Sequence, residues 1–158
     1  MLKHASAGNG AVQRAFPAPV LSAIQEEIAA SERRHGGEIR FALENSLNPL
    51  AVWRGVTPRQ RAIEMFANLG VWDTAHNNGV LIYVLWADRD VEIVADRGFN
   101  GHVTEREWAD VCRPMEQAFA RGECHTAVIG AIRAAGALMA RHFPTPDGNE
   151  LPDCPILL

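Results

Sequence analysis

VWDTAHNNGVLIYVLWADRDVEIVADRGF, residues 71–99, is the stretch around which the rest of the chain is arranged. Its centre, Val80-Leu81-Ile82-Tyr83-Val84-Leu85-Trp86, is apolar without alternation, as in a strand buried on both faces. A bilayer span needs about 20 apolar residues, so this run is too short to be one. Ala87-Asp88-Arg89-Asp90 has turn chemistry, and Val91-Glu92-Ile93-Val94-Ala95-Asp96 partly alternates. The pattern predicts a hairpin with Gly79–Trp86 in the centre of a sheet and Val91–Asp96 antiparallel beside it.

On the N-terminal side, residues 1–15 are expected to form a mobile tail. Leu21, Ile24 and Ile28 recur at helical spacing, and Gly36-Gly37 supplies a stop. Glu38-Ile39-Arg40-Phe41-Ala42-Leu43-Glu44 alternates with period two, which predicts a strand with one well-covered face. Asn45–Val56 is expected to be a loop. Thr57-Pro58-Arg59-Gln60 combines a capping residue, a proline at the first helical position and a glutamine that reaches back to the cap amide. The helix it opens, with Ala62, Ile63, Phe66 and Leu69 as its inner stripe, connects two strands that are therefore expected to be parallel.

On the C-terminal side, Thr104-Glu105-Arg106-Glu107 is a second capping box, followed by Trp108, Val111, Cys112, Met115 and Phe119 on one helix face. Pro114 is expected to kink that helix. A last helix carries Val128, Ile129, Ile132, Ala135, Leu138 and Met139 and ends at His142-Phe143-Pro144. Residues 144–158 form a proline-rich tail that either lies across the surface or engages a partner. The order α-β-α-β-β-α-α implies an α/β protein, a three-layer sandwich with a small mixed sheet, its domain spanning residues 16–143.

Composition narrows the function. The 158 residues suit one domain, and a hydrophobic content of 47% with 22% charged residues is that of a soluble globular chain. A formal net charge of -4 with no basic run argues against nucleic-acid binding. The N-terminus has no long apolar segment, and Cys112, Cys124 and Cys154 form no C-x-x-C pair, which leads to the expectation of a cytoplasmic protein with reduced thiols. The motifs of dinucleotide-binding, P-loop, zinc-protease and serine-hydrolase sites are absent.

What remains is placement. The hairpin sets Asp73, Asn77 and Asn78, just before the central strand, at the same sheet end as Asp96 and Arg97. Carboxylates and amides of this kind suit a hard cation, Ca²⁺ or Mg²⁺, and a guanidinium holds a phosphate or carboxylate bidentately. The same residues are also ordinary turn and cap chemistry, and Asp96 can simply pair with Arg97. The opposite sheet end, with Glu44, Asp88 and Asp90, is the second candidate.

Val71-Trp72-Asp73-Thr74, Asn77-Asn78-Gly79-Val80-Leu81-Ile82 and Val91–Gly98 together resemble the signature of the TPM domain family, in its YgcG-like bacterial branch, over roughly residues 20–143. The resemblance implies an α/β/α sandwich, Ca²⁺ or Mg²⁺ binding in some members and acid phosphatase activity in a plant member; a worm member acts on a receptor without catalysis. YgcG-type relatives often carry a signal peptide and a membrane helix, neither of which is seen here. Many relatives have two acidic residues in the hairpin turn, where this chain has Ala87-Asp88. The resemblance thus implies either a divalent-cation-binding domain with weak phosphatase activity, using Asp73, Asp96 and Arg97, or a non-catalytic interaction or assembly module reached through the C-terminal tail or a helix face.

Overall fold

The computed structural model of the protein describes residues 10–158. Its elements are α1 (Ala18–Glu32), β1 (Glu38–Glu44), α2 (Pro49–Trp53), α3 (Pro58–Asn68), β2 (Gly79–Leu85), β3 (Asp90–Ala95), α4 (Glu105–Ala120), α5 (Cys124–His142) and β4 (Ile156–Leu157). They form a four-stranded mixed sheet in the order β3-β2-β1-β4 with helices on both faces.

The apolar run of β2 is central, as its lack of alternation requires. It pairs parallel with β1, Glu38 opposite Gly79 through Glu44 opposite Leu85, and antiparallel with β3, Val80 opposite Ala95 through Leu85 opposite Asp90. The alternate residues Val80, Ile82 and Val84 meet α1, α4 and α5 in the larger core, while Leu81, Tyr83 and Leu85 meet α3 on the other face.

Both capping boxes form. Thr57 accepts from Gln60 N (3.1 Å) and Thr104 from Glu107 N (3.2 Å), with each N3 side chain returning to its cap amide. Pro114 sits inside α4, which continues through it from Glu105 to Ala120.

Four expectations change. Residues 1–9 of the expected tail lie outside the described residues, but residues 10–15 are helical and put Val12 in the core beside Phe16. β1 is buried along its whole length, not on one face, because its polar residues Glu38, Arg40 and Glu44 are overlaid by the C-terminal segment and by α3. Residues 144–158 follow the first of their two expected courses, lying across the surface, and end in β4, which pairs parallel with β1 (Ala42 opposite Ile156, Leu43 opposite Leu157). The loop after β1 contains α2, which has no buried residue, and Ile63 of α3 faces outward, leaving the interface to Ala62 and Met65 with Phe66 and Leu69 packed against them.

Candidate functional site

The turn before β2 and the turn after β3 are bound to one another through their backbones. Gly98 N donates to Asn77 O (2.8 Å) and Asp96 N to Gly79 O (2.9 Å). Asn77 takes a left-handed conformation, φ 51°, which asparagine tolerates better than most residues. The approach is close enough that a Cβ on Gly98 would collide with Asn77 O and His76 O.

The five expected site residues have different surroundings. Asp96 caps the Arg97–Phe99 turn, its Oδ1 accepting from Arg97 N at 2.7 Å, while its Oδ2 is buried with no hydrogen-bond partner. Asp96 thus holds the backbone of Arg97, and no ion pair with the Arg97 guanidinium occurs among the described residues. Asn78 is fully buried, with Nδ2 donating to Gly36 O and to Asp147 Oδ2 (3.4 Å), and its Oδ1 has no partner. Asp73 is exposed, its N–H bonded to Gly70 O at 3.0 Å. Asn78 turns toward Gly36 and Asp147 while Asp96 turns onto its own following residue.

Two buried oxygens without partners, Asn78 Oδ1 and Asp96 Oδ2, suit a hard cation in kind. In number they do not complete a site. Among the described residues no group of three His, Cys, Asp or Glu side chains is placed to hold a metal ion.

At the opposite sheet end Glu44 is committed to structure. Arg61 grips it with Nε and Nη2, both at 2.9 Å, and Tyr83 Oη reaches Glu44 Oε2 at 2.5 Å. Burial and the Glu44 carboxylate together push the Tyr83 phenol well above its ordinary range.

Along β3, from this end to the residues just beyond Asp96, runs a groove of about 800 Å³ between β3 and α4, lined by Arg59, Glu92, Ala95, Trp108, Cys112 and Glu116 among others. Burial raises the carboxyls of Asp90, Glu92 and Glu116, and it pushes the Cys112 thiol up to about 12 with help from the same three carboxylates. Asp90 Oδ1 is buried without a partner. The groove side chains also close the outer edge of β3, where Glu116 accepts from Val91 N (3.2 Å) and Arg59 donates to Ile93 O (2.5 Å). The only sequence signal for this arrangement is the two-residue spacing of Asp90 and Glu92, which sets both on one side of a strand.

A second buried polar cluster lies where α1 meets β1. His35 Nδ1 accepts from Gly37 N (3.1 Å), so its proton sits on Nε2 and is donated to Ser31 Oγ (2.9 Å). Burial, assisted by the charge of Arg34, lowers the His35 pKa to about 4.

Comparisons with known proteins agree with this architecture. The TPM domain family matches residues 14–138. The NMR structure of the BA42 protein from the psychrophilic bacterium Bizionia argentinensis is 30% identical, covers 90% of this chain and 95% of its own, and superposes with a TM-score of 0.76. The N-terminal domain of a protein from P. gingivalis shares the fold at 14% identity and a TM-score of 0.61, covering 80% of each chain. No curated protein matches. No helix among the described residues is long and apolar enough to cross a membrane. With the family match running through most of the chain and a solved relative superposing over nearly all of it, this protein belongs to the TPM domain family.

Proposed function

We propose that this TPM domain binds a divalent cation, Ca²⁺ or Mg²⁺, at the sheet end that carries Asp96. The observation that supports this is the buried, unpartnered Oδ2 of Asp96, since a desolvated carboxylate oxygen is costly unless something positive meets it. Asp73, Asn77 and the free Oδ1 of Asn78 are the further oxygen donors, with water completing the shell. Phosphomonoester hydrolysis, with Arg97 steadying the phosphate, is the catalytic extension of this role. Cytoplasmic residence is part of the same proposal.

The test is thermal unfolding of metal-stripped protein titrated with Ca²⁺ and then Mg²⁺. A ligand that binds only the folded state adds about 2.7 kcal/mol at a hundredfold excess over its dissociation constant. A saturable rise in Tm that disappears in Asp96→Asn and survives in Glu92→Gln places the ion at the Asp96 end. A rise lost in Glu92→Gln instead moves the ion to the groove, and no rise with either ion rejects the proposal. Hydrolysis of a generic phosphomonoester, assayed with the same variants, decides the catalytic extension.

A non-catalytic interaction role is favoured by a different observation. α2 reads Pro-Leu-Ala-Val-Trp, none of the described residues buries it, and Leu50, Val52 and Trp53 are 54%, 62% and 82% exposed. Apolar residues clustered on one surface turn are a common mark of a protein contact. The Trp53→Ser variant tests this role: it should leave stability and ion binding unchanged while weakening any complex.

A further inference from the structure

The outer edge of β3 carries main-chain groups that open into the groove. In the antiparallel pairing with β2, Asp96 N donates to Gly79 O, so the rungs between the two strands fall on Asp90, Glu92, Val94 and Asp96. Val91, Ile93 and Ala95 therefore direct their N–H and C=O groups away from the sheet. The bonds of Glu116 with Val91 N and of Arg59 with Ile93 O agree with that direction and close the first half of the edge. Toward Ala95 the edge stays open: no hydrogen bond among the described residues answers Ile93 N or either main-chain group of Ala95.

α4 makes the facing wall, with Glu105, Trp108, Ala109, Cys112 and Glu116 at helical spacing along the groove. That stripe is about 16 Å long at 1.5 Å per residue, and Val91–Ala95 is about 13 Å at 3.3 Å per residue, so a short extended segment fills the space. Ala95 on the strand and the exposed Ala109 on the helix are both small, which leaves room for an apolar side chain between them. Trp108 also lines the groove and is only 8% exposed, yet its indole N–H meets no acceptor among the described residues. Open strand groups facing a helix, with a spare donor and an apolar recess between, are what an extended peptide answers.

The charges select the peptide further. Glu116 is spent on Val91 N, Arg59 lies 3.6 Å from Glu92, and Arg113 pairs with Asp110 on its own helix. Glu105, exposed at the open end of the groove, has no basic partner among the described residues. Its complement is a positive side chain.

We propose that the groove between β3 and α4 binds an extended peptide segment of another protein, which pairs with the open main-chain groups of Ile93 and Ala95, sets an apolar side chain between Ala95 and Ala109, and meets Glu105 with a lysine or arginine. Glu116 and Arg59 keep the Val91 end shut, so longer chains without this match are turned away. The site needs no bound ion and is separate from α2, none of whose residues lines the groove.

The test pans a phage-displayed library of random octapeptides on the full-length chain in EDTA, and the most enriched sequence is made as a free peptide. Enrichment of apolar residues in alternation with a lysine or arginine is expected. On titration with that peptide, hydrogen exchange at the amides of Ile93 and Ala95 should slow at least tenfold. Ala109→Trp fills the groove from an exposed position and should weaken the peptide at least tenfold at unchanged Tm. Glu105→Lys, also exposed, should weaken it and turn the selection toward acidic sequences. No enrichment over an unrelated protein would overturn the proposal, as would a peptide that leaves the Ile93 and Ala95 amides unprotected or binds either variant as it binds the parent. So would protection of those amides that grows with protein concentration alone, since the occupant would then be a second copy of this chain.

Discussion

Tyr83 Oη and Glu44 Oε2 are 2.5 Å apart beneath α3, and Arg61 closes the arrangement from the helix side with two 2.9 Å bonds to the same carboxylate. This triad joins β1, β2 and α3. Glu44→Ala would leave a buried phenol without its acceptor and the partly buried Arg61 guanidinium with only the exposed Glu64 (3.0 Å), at a cost of about 3 kcal/mol. Tyr83→Phe removes one charge-assisted bond and should cost about 2 kcal/mol. Urea midpoints of the two variants and their double mutant measure the coupling; a Glu44→Ala loss below that of Tyr83→Phe would show that the triad contributes little.

Gly98 is fixed by contact rather than by dihedral angle. A methyl group there meets Asn77 O and His76 O, so Gly98→Ala must push the two turns apart. Overpacking of this kind costs about 1–3 kcal/mol. The same displacement moves Asp96, so ion affinity should fall along with stability. Chemical denaturation combined with Ca²⁺ titration checks both, and unchanged ion affinity in a destabilised variant would separate the turns from the site.

His35 gives the stability curve an acid-side slope. Its pKa is about 4 in the folded protein against 6.5 unfolded, so the unfolded state binds its proton first. The stabilisation from keeping His35 neutral is complete above pH 6.5 and is lost as pH falls toward 4, at up to about 1.4 kcal/mol per pH unit. Glu32 acts in the opposite sense over the same interval, its raised pKa adding stability as pH falls. Denaturation between pH 7 and 4.5 should therefore show a steeper loss in Glu32→Gln than in the parent, and a flatter one in His35→Gln.

The cysteines should differ sharply in reactivity. Cys154 is exposed, whereas Cys112 is buried with its thiol pushed up to about 12. Attack on a disulfide reagent needs the thiolate. One equivalent of thiol per chain should react quickly in native protein at pH 8, and the full complement only after denaturation. A second fast equivalent, mapped to Cys112, would mean that α4 opens readily over the groove.

Most of the fold is visible in strong local signals: the unalternating run of β2, the hairpin, and the two Thr-led capping boxes. Where the sequence misleads, the cause is tertiary. The alternation of Glu38, Arg40 and Glu44 matches that of a strand with a wet face, yet each of these side chains meets a polar group delivered from far along the chain. β4 is two residues long in a proline-rich segment, and no periodicity announces it. Trp86 continues the apolar run but closes the strand, its ring lying under the Arg89 guanidinium at 3.6 Å. The meeting of the two turns was legible, since backbone bonds do join Asn77 to Gly98 and Gly79 to Asp96. The inward turn of Asn78 was not, because it depends on Gly36 O and Asp147.

The way the outer rungs of the sheet are answered also bears on solubility. Glu116 and Arg59 occupy Val91 N and Ile93 O on one side, and a two-residue strand ends the other. A sheet finished in this way gives a passing chain little to pair with, and so resists templated aggregation. That protection rests on two side chains and one short strand, not on net charge.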